Sequence, residues 1–316
     1  MTVSNDQHNS SGIPLRPLGR TGVAVSALGL GGWDIAVMKD DRDCIRLVHE
    51  AIGHGITFLD NAWDYHNGRS EDLMGRAISD RRDRVFLMTK MCTHGRNRQV
   101  AMRQLEDSLR RLRTDYLDLW QIHEVVYDNE PALHFAADGA VEALEQARRE
   151  GKVRFVGFTG HKSPELHLQM LAYDFAFDAC QLPLNCFDAS FRSFEQQVLP
   201  ELNRRGIAAI GMKSMGGDGG MVAAGAVTAQ EALRYAMSLP VATTVSGLCS
   251  FEILRQNIEI ASRNQPMSAD EMQQLRERCR ALASDGRYEL YKTTAKFEGP
   301  EGRLQHGFPT QDELTA

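Results

Sequence analysis

The stretch VSALGLGGWD, residues 25–34, decides between two folds. Its front half is a short, nearly continuous apolar run, as in a strand covered on both faces. Its back half is glycine-rich, at the place where an open doubly wound sheet would carry G-x-G-x-x-G beneath a pyrophosphate. The spacing starts at Gly29 and Gly31 and fails at the last position, which is Asp34. No other stretch supplies that fingerprint.

Outward from this stretch, an apolar run, a polar loop and an amphipathic helix recur eight times. The strand candidates are residues 25–31, 56–60, 85–90, 116–123, 154–160, 177–185, 207–214 and 242–248. Helical patterns such as NRQVAMRQLEDSLRRLRTD and DGAVEALEQARREGK separate them. Ser163-Pro164 reads as an N-cap followed by proline in the first turn, and Thr228/Glu231 and Ser268/Glu271 have capping-box spacing. Strand–helix alternation implies a parallel sheet. Eight units without the dinucleotide fingerprint predict a closed (β/α)8 TIM barrel in one domain spanning residues 1–316. Residues 14–24, with Gly19 and Thr21-Gly22 at a turn, predict a β-hairpin that plugs the barrel's N-terminal end. Residues 1–13 are expected to be flexible. After about residue 284 periodicity is lost, which predicts an irregular C-terminal tail over 284–316.

The chain has 316 residues and a net charge of −6, and 42% of it is hydrophobic. No Lys/Arg stripe could neutralise a run of phosphates, so nucleic acid is not an expected partner. Arg110, Arg111, Arg113, Arg148 and Arg149 fall on helix patterns and are expected on solvated faces. The six cysteines form no CxxC pair and no His/Cys ligand spacing, so neither zinc nor an iron–sulfur cluster is indicated. The polar start lacks the apolar core of a signal peptide, and no run has the length of a membrane span. Reduced thiols in a cytoplasmic protein are the expectation.

In such a barrel the chemistry belongs at the C-terminal ends of the strands. Three successive strands end in ionisable residues, Asp60, Lys90 and His123, and Tyr65 follows in the second strand's loop. Any one of them could be a turn or core polar residue, but turn chemistry does not account for four at equivalent places. A buried lysine needs a partner, and Asp60 lies on the neighbouring strand. An ammonium beside a phenol is expected to lower the phenol's pKa, which suits general-acid chemistry. His123 could orient a substrate oxygen. No side chain can deliver a hydride, so a cofactor is required.

These residues resemble the aldo-keto reductase family. The most specific parts are LDNAWDYHNGRSEDLMG, the LMTK strand end and DYLDLWQIH, and the similarity runs from residue 16 to about 257. The resemblance implies a barrel that binds NADP, or NAD, without a Rossmann fold. It implies a catalytic tetrad of Asp60, Tyr65, Lys90 and His123, with Tyr65 as proton donor. It assigns the nicotinamide end to Gly32, Thr159, Gly160, His161 and Gln181. Thr159-Gly160-His161 stands where the family usually has Ser-Asn, and Met212 stands where many members stack a tyrosine. Lys213, Ser214, Met215 and Gly216 would line the pyrophosphate, and Gly247, Cys249, Gln256 and Asn257 the phosphate and adenine end. Basic residues that clamp a 2′-phosphate in many members are missing there, with only Arg255 close by. Trp33, Trp63 and Cys92 are expected to line the substrate pocket, with no metal. The tail around Tyr288, Tyr291 and His306 resembles the loop that covers the pocket in this family.

The leading expectation is therefore an NAD(P)-dependent oxidoreductase acting on a small aldehyde, ketone or alcohol. A redox-sensing regulatory subunit on the same barrel is the alternative. A metal-dependent hydrolase would want an H-x-H pair after the first strand, and LGLGGW has none.

Overall fold

The computed structural model describes residues 7–8, 12–310 and 313. Three short strands come first: β1 (Gln7–His8), β2 (Pro14–Pro17) and β3 (Ala24–Ser26), paired antiparallel in that order. The barrel strands follow as β4 (Leu28–Gly31), β5 (Phe58–Asp60), β6 (Phe86–Met91), β7 (Leu117–Ile122), β8 (Val153–Thr159), β9 (Ala179–Pro183), β10 (Ala208–Met212) and β11 (Thr243–Gly247). All eight pair in parallel, and β11 closes on β4.

Residues 25–31 are two elements where the sequence suggests one. Val25 and Ser26 pair with Arg16 and Leu15 in the hairpin, whereas Leu28–Gly31 enter the barrel between β11 and β5. The two partners exchange at Ala27, whose N–H donates to the Pro14 carbonyl at 2.8 Å, while the backbone N–H groups of Ser26 and Thr57 each donate to the other's hydroxyl oxygen at 2.9 Å. Hydrophobic periodicity is blind to a change of pairing partner. Within the segment expected to be flexible, Gln7 and His8 pair with Leu15 and Pro14, and Ile13 is buried.

The hairpin turn lies against the bottom of the barrel. Arg20 N–H donates to the Gly206 carbonyl at 3.1 Å. A Cβ on Gly19 (φ +53°) would lie 2.6 Å from that same oxygen, so the turn needs glycine for both its backbone angle and its clearance. Leu18 and Val25 cap an interior core of Phe58, Phe86, Met88, Leu119, Ala179, Ala208, Ile210 and Val245. A larger apolar layer joins the outer strand faces to the helices. Both anticipated capping boxes form, at Thr228/Glu231 and Ser268/Glu271, and Ser163 caps the helix Pro164–Ala172. The tail is more ordered than its composition suggests. It carries two short helices, Leu290–Thr293 and Pro300–Gln305, and fully buries Glu289, Tyr291 and Lys292. No helix among the described residues is long and apolar enough to cross a membrane.

Candidate active site

Alternation along each strand turns two kinds of residue inward. Phe58, Phe86, Met88 and Leu119 fill the interior low in the barrel. Two residues further along, the same faces present Asp60 and Lys90. Lys90, 1% exposed, is ion-paired with Asp60 and donates to the Asn61 carbonyl at 2.7 Å. Its ammonium lies 3.3 Å from the Tyr65 hydroxyl. Tyr65 itself begins a single turn, Tyr65–Gly68, in which His66 and Asn67 have positive φ. That turn folds the phenol back over the end of β6. The His123 ring stands edge-on to Tyr65 with centroids 5.6 Å apart. The four groups singled out from sequence thus meet at one mouth.

The electrostatics correct one expectation. Burial pushes the Tyr65 phenol well above its ordinary value, and Asp60, Asp64, Glu124 and Asp34 push it further. Lys90 does not outweigh them. Four acidic groups face the phenol because several loops converge there, and this crowding is invisible to strand-end reasoning. His123 is pushed below its ordinary value by burial, against the pull of Asp64, whose Oδ1 is 3.2 Å from Nδ1. Burial opposes the Asp64 carboxylate, yet His123 holds it below the usual range. Glu124 is pushed well up, by burial first and by Asp64 second.

On the side assigned to the cofactor, Gln181 Nε2 donates to Asp60 Oδ2 at 2.9 Å, which puts its carboxamide directly beside the tetrad. Thr159 is buried at the end of β8. A side chain at Gly160 would meet the Val125 carbonyl at 2.5 Å and the His167 ring at 2.8 Å, so there is no room for an asparagine there. His161 is buried, and its Nε2 has no hydrogen-bond partner. After β10, Lys213 adopts φ +55° and its ammonium lies over the rings of Phe297 and Tyr291, at 5.0 and 5.5 Å. Met212 ends that strand, its carbonyl accepting from Leu184 N–H at 3.0 Å. Ser214 is buried, Met215 half-buried, and Gly216 lies tight under the Tyr288 carbonyl, where a Cβ would come within 2.5 Å. Gly32 opens the turn after β4, where a Cβ would meet the Asp60 carbonyl at 2.6 Å. At the far end, Gly247 is overlain by the Asp34 carboxylate, Cys249 and Gln256 are exposed, and Asn257 donates to Ser246 Oγ at 3.0 Å. Arg255 is ion-paired with Glu50 at 2.9 Å.

A family model described as the Aldo/keto reductase family matches residues 27–227. The chain belongs to that family. Aldo-keto reductase YhdN of Bacillus subtilis is 30% identical over 194 residues, 57% of this chain and 55% of YhdN. The chain thus spans about half the length of the curated relatives it matches. A thermostable aldo-keto reductase solved with the inhibitor epalrestat superposes with a TM-score of 0.67 at 27% identity, covering 84% of this chain and 99% of that one. An aldo-keto reductase from Klebsiella pneumoniae, solved with NADPH, shares the fold: TM-score 0.68, 24% identity, coverage 87% and 96%.

Against the family pattern, the pocket residues divide. Trp33 is half exposed and edge-on to Tyr65 at 5.2 Å. Trp63 packs against Arg111 of the helix Arg98–Leu112. Arg111 lies over its ring at 5.6 Å and donates to its carbonyl at 2.9 Å. Arg111 is therefore not on a solvated face, since it also pairs with the buried Glu71 at 3.1 Å. Cys92 is fully buried, its sulfur 3.2 Å from His94 Nε2, and His94 Nδ1 is 2.6 Å from Glu130. The tail reaches this region, with Gly299 N–H donating to Glu124 at 2.9 Å and the His306 ring tilted 35° against Tyr127 with centroids 4.0 Å apart. Tyr291 packs edge-on to His161 at 6.1 Å, and Tyr288 edge-on to Phe187 at 5.6 Å. Sequence reasoning missed Asp64, Glu124 and His94. Asp64 and Glu124 each adjoin a tetrad residue, and that adjacency was the available signal.

Proposed function

We propose that this aldo/keto reductase is a single-domain, NAD(P)-dependent oxidoreductase that moves a hydride between the cofactor and a small aldehyde, ketone or corresponding alcohol. The observation that carries the reading is the Tyr65 hydroxyl 3.3 Å from a buried lysine that is itself locked to Asp60. A phenol with an ordinary pKa of about 10 is already protonated at neutral pH, so Tyr65 is loaded as a donor without any shift. When its proton passes to a carbonyl oxygen, the Lys90 ammonium is in place to stabilise the phenolate left behind. His123, held by Asp64, borders the same space and would orient the substrate oxygen.

The residues also fit a nicotinamide dinucleotide. His161 Nε2 and Asn257 Oδ1 are buried polar atoms without hydrogen-bond partners, at the two ends of the assigned site. His161, Thr159 and Gln181 would hold the carboxamide, and the backbone of 213–216, with the Lys213 ammonium, the pyrophosphate. The bound cofactor would supply or take the hydride. NADP is the proposed cofactor and NAD the competitor, because Arg255 is already engaged by Glu50. Six free thiols, five of them buried, support a cytoplasmic setting.

Quenching of protein fluorescence by NADPH and NADH, side by side, tests cofactor binding and preference. In turnover with a panel of small aldehydes, Tyr65→Phe should lower kcat by about 10²–10⁴-fold, the usual worth of a positioned proton donor, with cofactor Kd unchanged. A kcat equal to that of the wild type would remove Tyr65 from the chemistry.

A further inference from the structure

Hydride transfer leaves part of this mouth unexplained. A carboxylate oxygen of Asp64, the sulfur of Cys92 and a ring nitrogen of His123 all lie within 4.8 Å of one another. They come from three different loops, after β5, β6 and β7, so no linear spacing relates them. Cys92 is fully buried, whereas the side chains of Asp64 and His123 remain 13% and 12% exposed, which leaves a route in from solvent. Behind the thiol, His94 touches the sulfur at 3.2 Å and is itself held by Glu130 at 2.6 Å.

We propose that Asp64, Cys92 and His123 form a binding site for a borderline-soft divalent cation of the zinc and cobalt class, and that occupancy blocks turnover. In tetrahedral coordination, metal–ligand bonds of about 2.0–2.3 Å set ligands about 3.3–3.6 Å apart, so a pair standing near 4.8 Å must draw in by about 1 Å, within the reach of side-chain rotation. One sulfur, one nitrogen and one oxygen donor suit zinc or cobalt, whereas magnesium and calcium require mostly oxygen ligands. Three protein ligands leave a fourth position for water. On binding, Cys92 enters as the thiolate and its proton passes to solvent as the metal–sulfur bond forms. The ion takes His123 away from the substrate oxygen it would otherwise orient, together with the Asp64 carboxylate that holds it. Only this last consequence rests on the oxidoreductase reading.

Titration of the full-length protein with Co2+ tests the site. One equivalent should produce a thiolate-to-cobalt charge-transfer band in the near ultraviolet, displaced by Zn2+ and unaffected by Mg2+. Cys92→Ser, checked for folding by circular dichroism, should lose the band. Cys249→Ser, which removes the exposed thiol, should keep it. Asp64→Asn should weaken cobalt binding at least tenfold. Zn2+ should inhibit carbonyl reduction competitively with the carbonyl substrate. No band in the wild type, or an undiminished band in Cys92→Ser, overturns the site. Stoichiometric zinc without inhibition of an active enzyme overturns the blocking claim. If no carbonyl turns over at all, the oxidoreductase reading fails while the cobalt band still decides the site.

Discussion

The two ends of the barrel interior are built from the same strands and obey opposite rules. At the bottom, Phe58 stacks on Phe86 with centroids 5.4 Å apart, and Leu18 of the hairpin closes the cavity with apolar surface. At the top, one pleat further along β5 and β6, the inward residues are a carboxylate and an ammonium, nearly as buried as the phenylalanines. Burial stabilises the first layer and costs free energy in the second, where it is offset by pairing and hydrogen bonds. Such a barrel concentrates stability at one end and reactivity at the other.

Three perturbations would break or sharpen this contrast. Lys90→Met should do the most, because it leaves Asp60 buried without its cation. A loss of about 3–5 kcal/mol in denaturant unfolding, together with loss of turnover, is expected. Wild-type stability in that variant would mean that the top layer carries no electrostatic strain. Phe58→Ala should cost a similar or slightly smaller amount, about 3–5 kcal/mol, through a cavity in the lower layer. Cofactor affinity and kcat of the folded fraction should stay near wild type. A collapse of kcat in Phe58→Ala would show that the two layers are not separable.

The third effect is smaller and comes from the helices outside the barrel. Burial holds the His134 and His167 imidazoles down to about 4, from an ordinary 6.5. Between those values the unfolded chain binds protons that the folded chain refuses, so stability falls as pH drops from 6.5 toward 4. Each imidazole should contribute on the order of 1–3 kcal/mol to that loss. Thermal unfolding of the wild type against His167→Gln across this range measures it. An unchanged pH slope in the variant would assign the acid sensitivity to other groups.

Strand ends and capping boxes were legible in the chain because they depend on residues a few places apart. The barrel strands lie within a few residues of their apolar runs, and Thr228 and Ser268 cap the helices their spacing announced. The convergence of Asp60, Tyr65, Lys90 and His123 was legible for a related reason, since period-two alternation carries Asp60 and Lys90 inward on the same faces as Phe58 and Met88. The direction of the Tyr65 pKa was not legible. It depends first on burial of the phenol and then on Asp60, Asp64, Glu124 and Asp34 gathering round it from separate segments, and sequence distance carries no record of that. The small core within the irregular tail was hidden for the opposite reason, because its buried residues are charged. Lys292 sits fully enclosed between Asp188 at 2.6 Å and Glu289 at 2.9 Å, and a polar composition hides such a core.

By itself, then, the order of residues determined a barrel rather than an open sheet, the four side chains that meet at its C-terminal mouth and the family to which it belongs. These follow from local periodicity and from which residue types stand at strand ends. Tertiary structure alone decided what surrounds that mouth: the burial and the acidic ring that raise the phenol, the thiol brought beside Asp64 and His123, and the tail laid over Glu124. Each depends on loops distant in the chain sharing a few ångströms of low-dielectric space, where the field at one group is set by neighbours that only folding supplies.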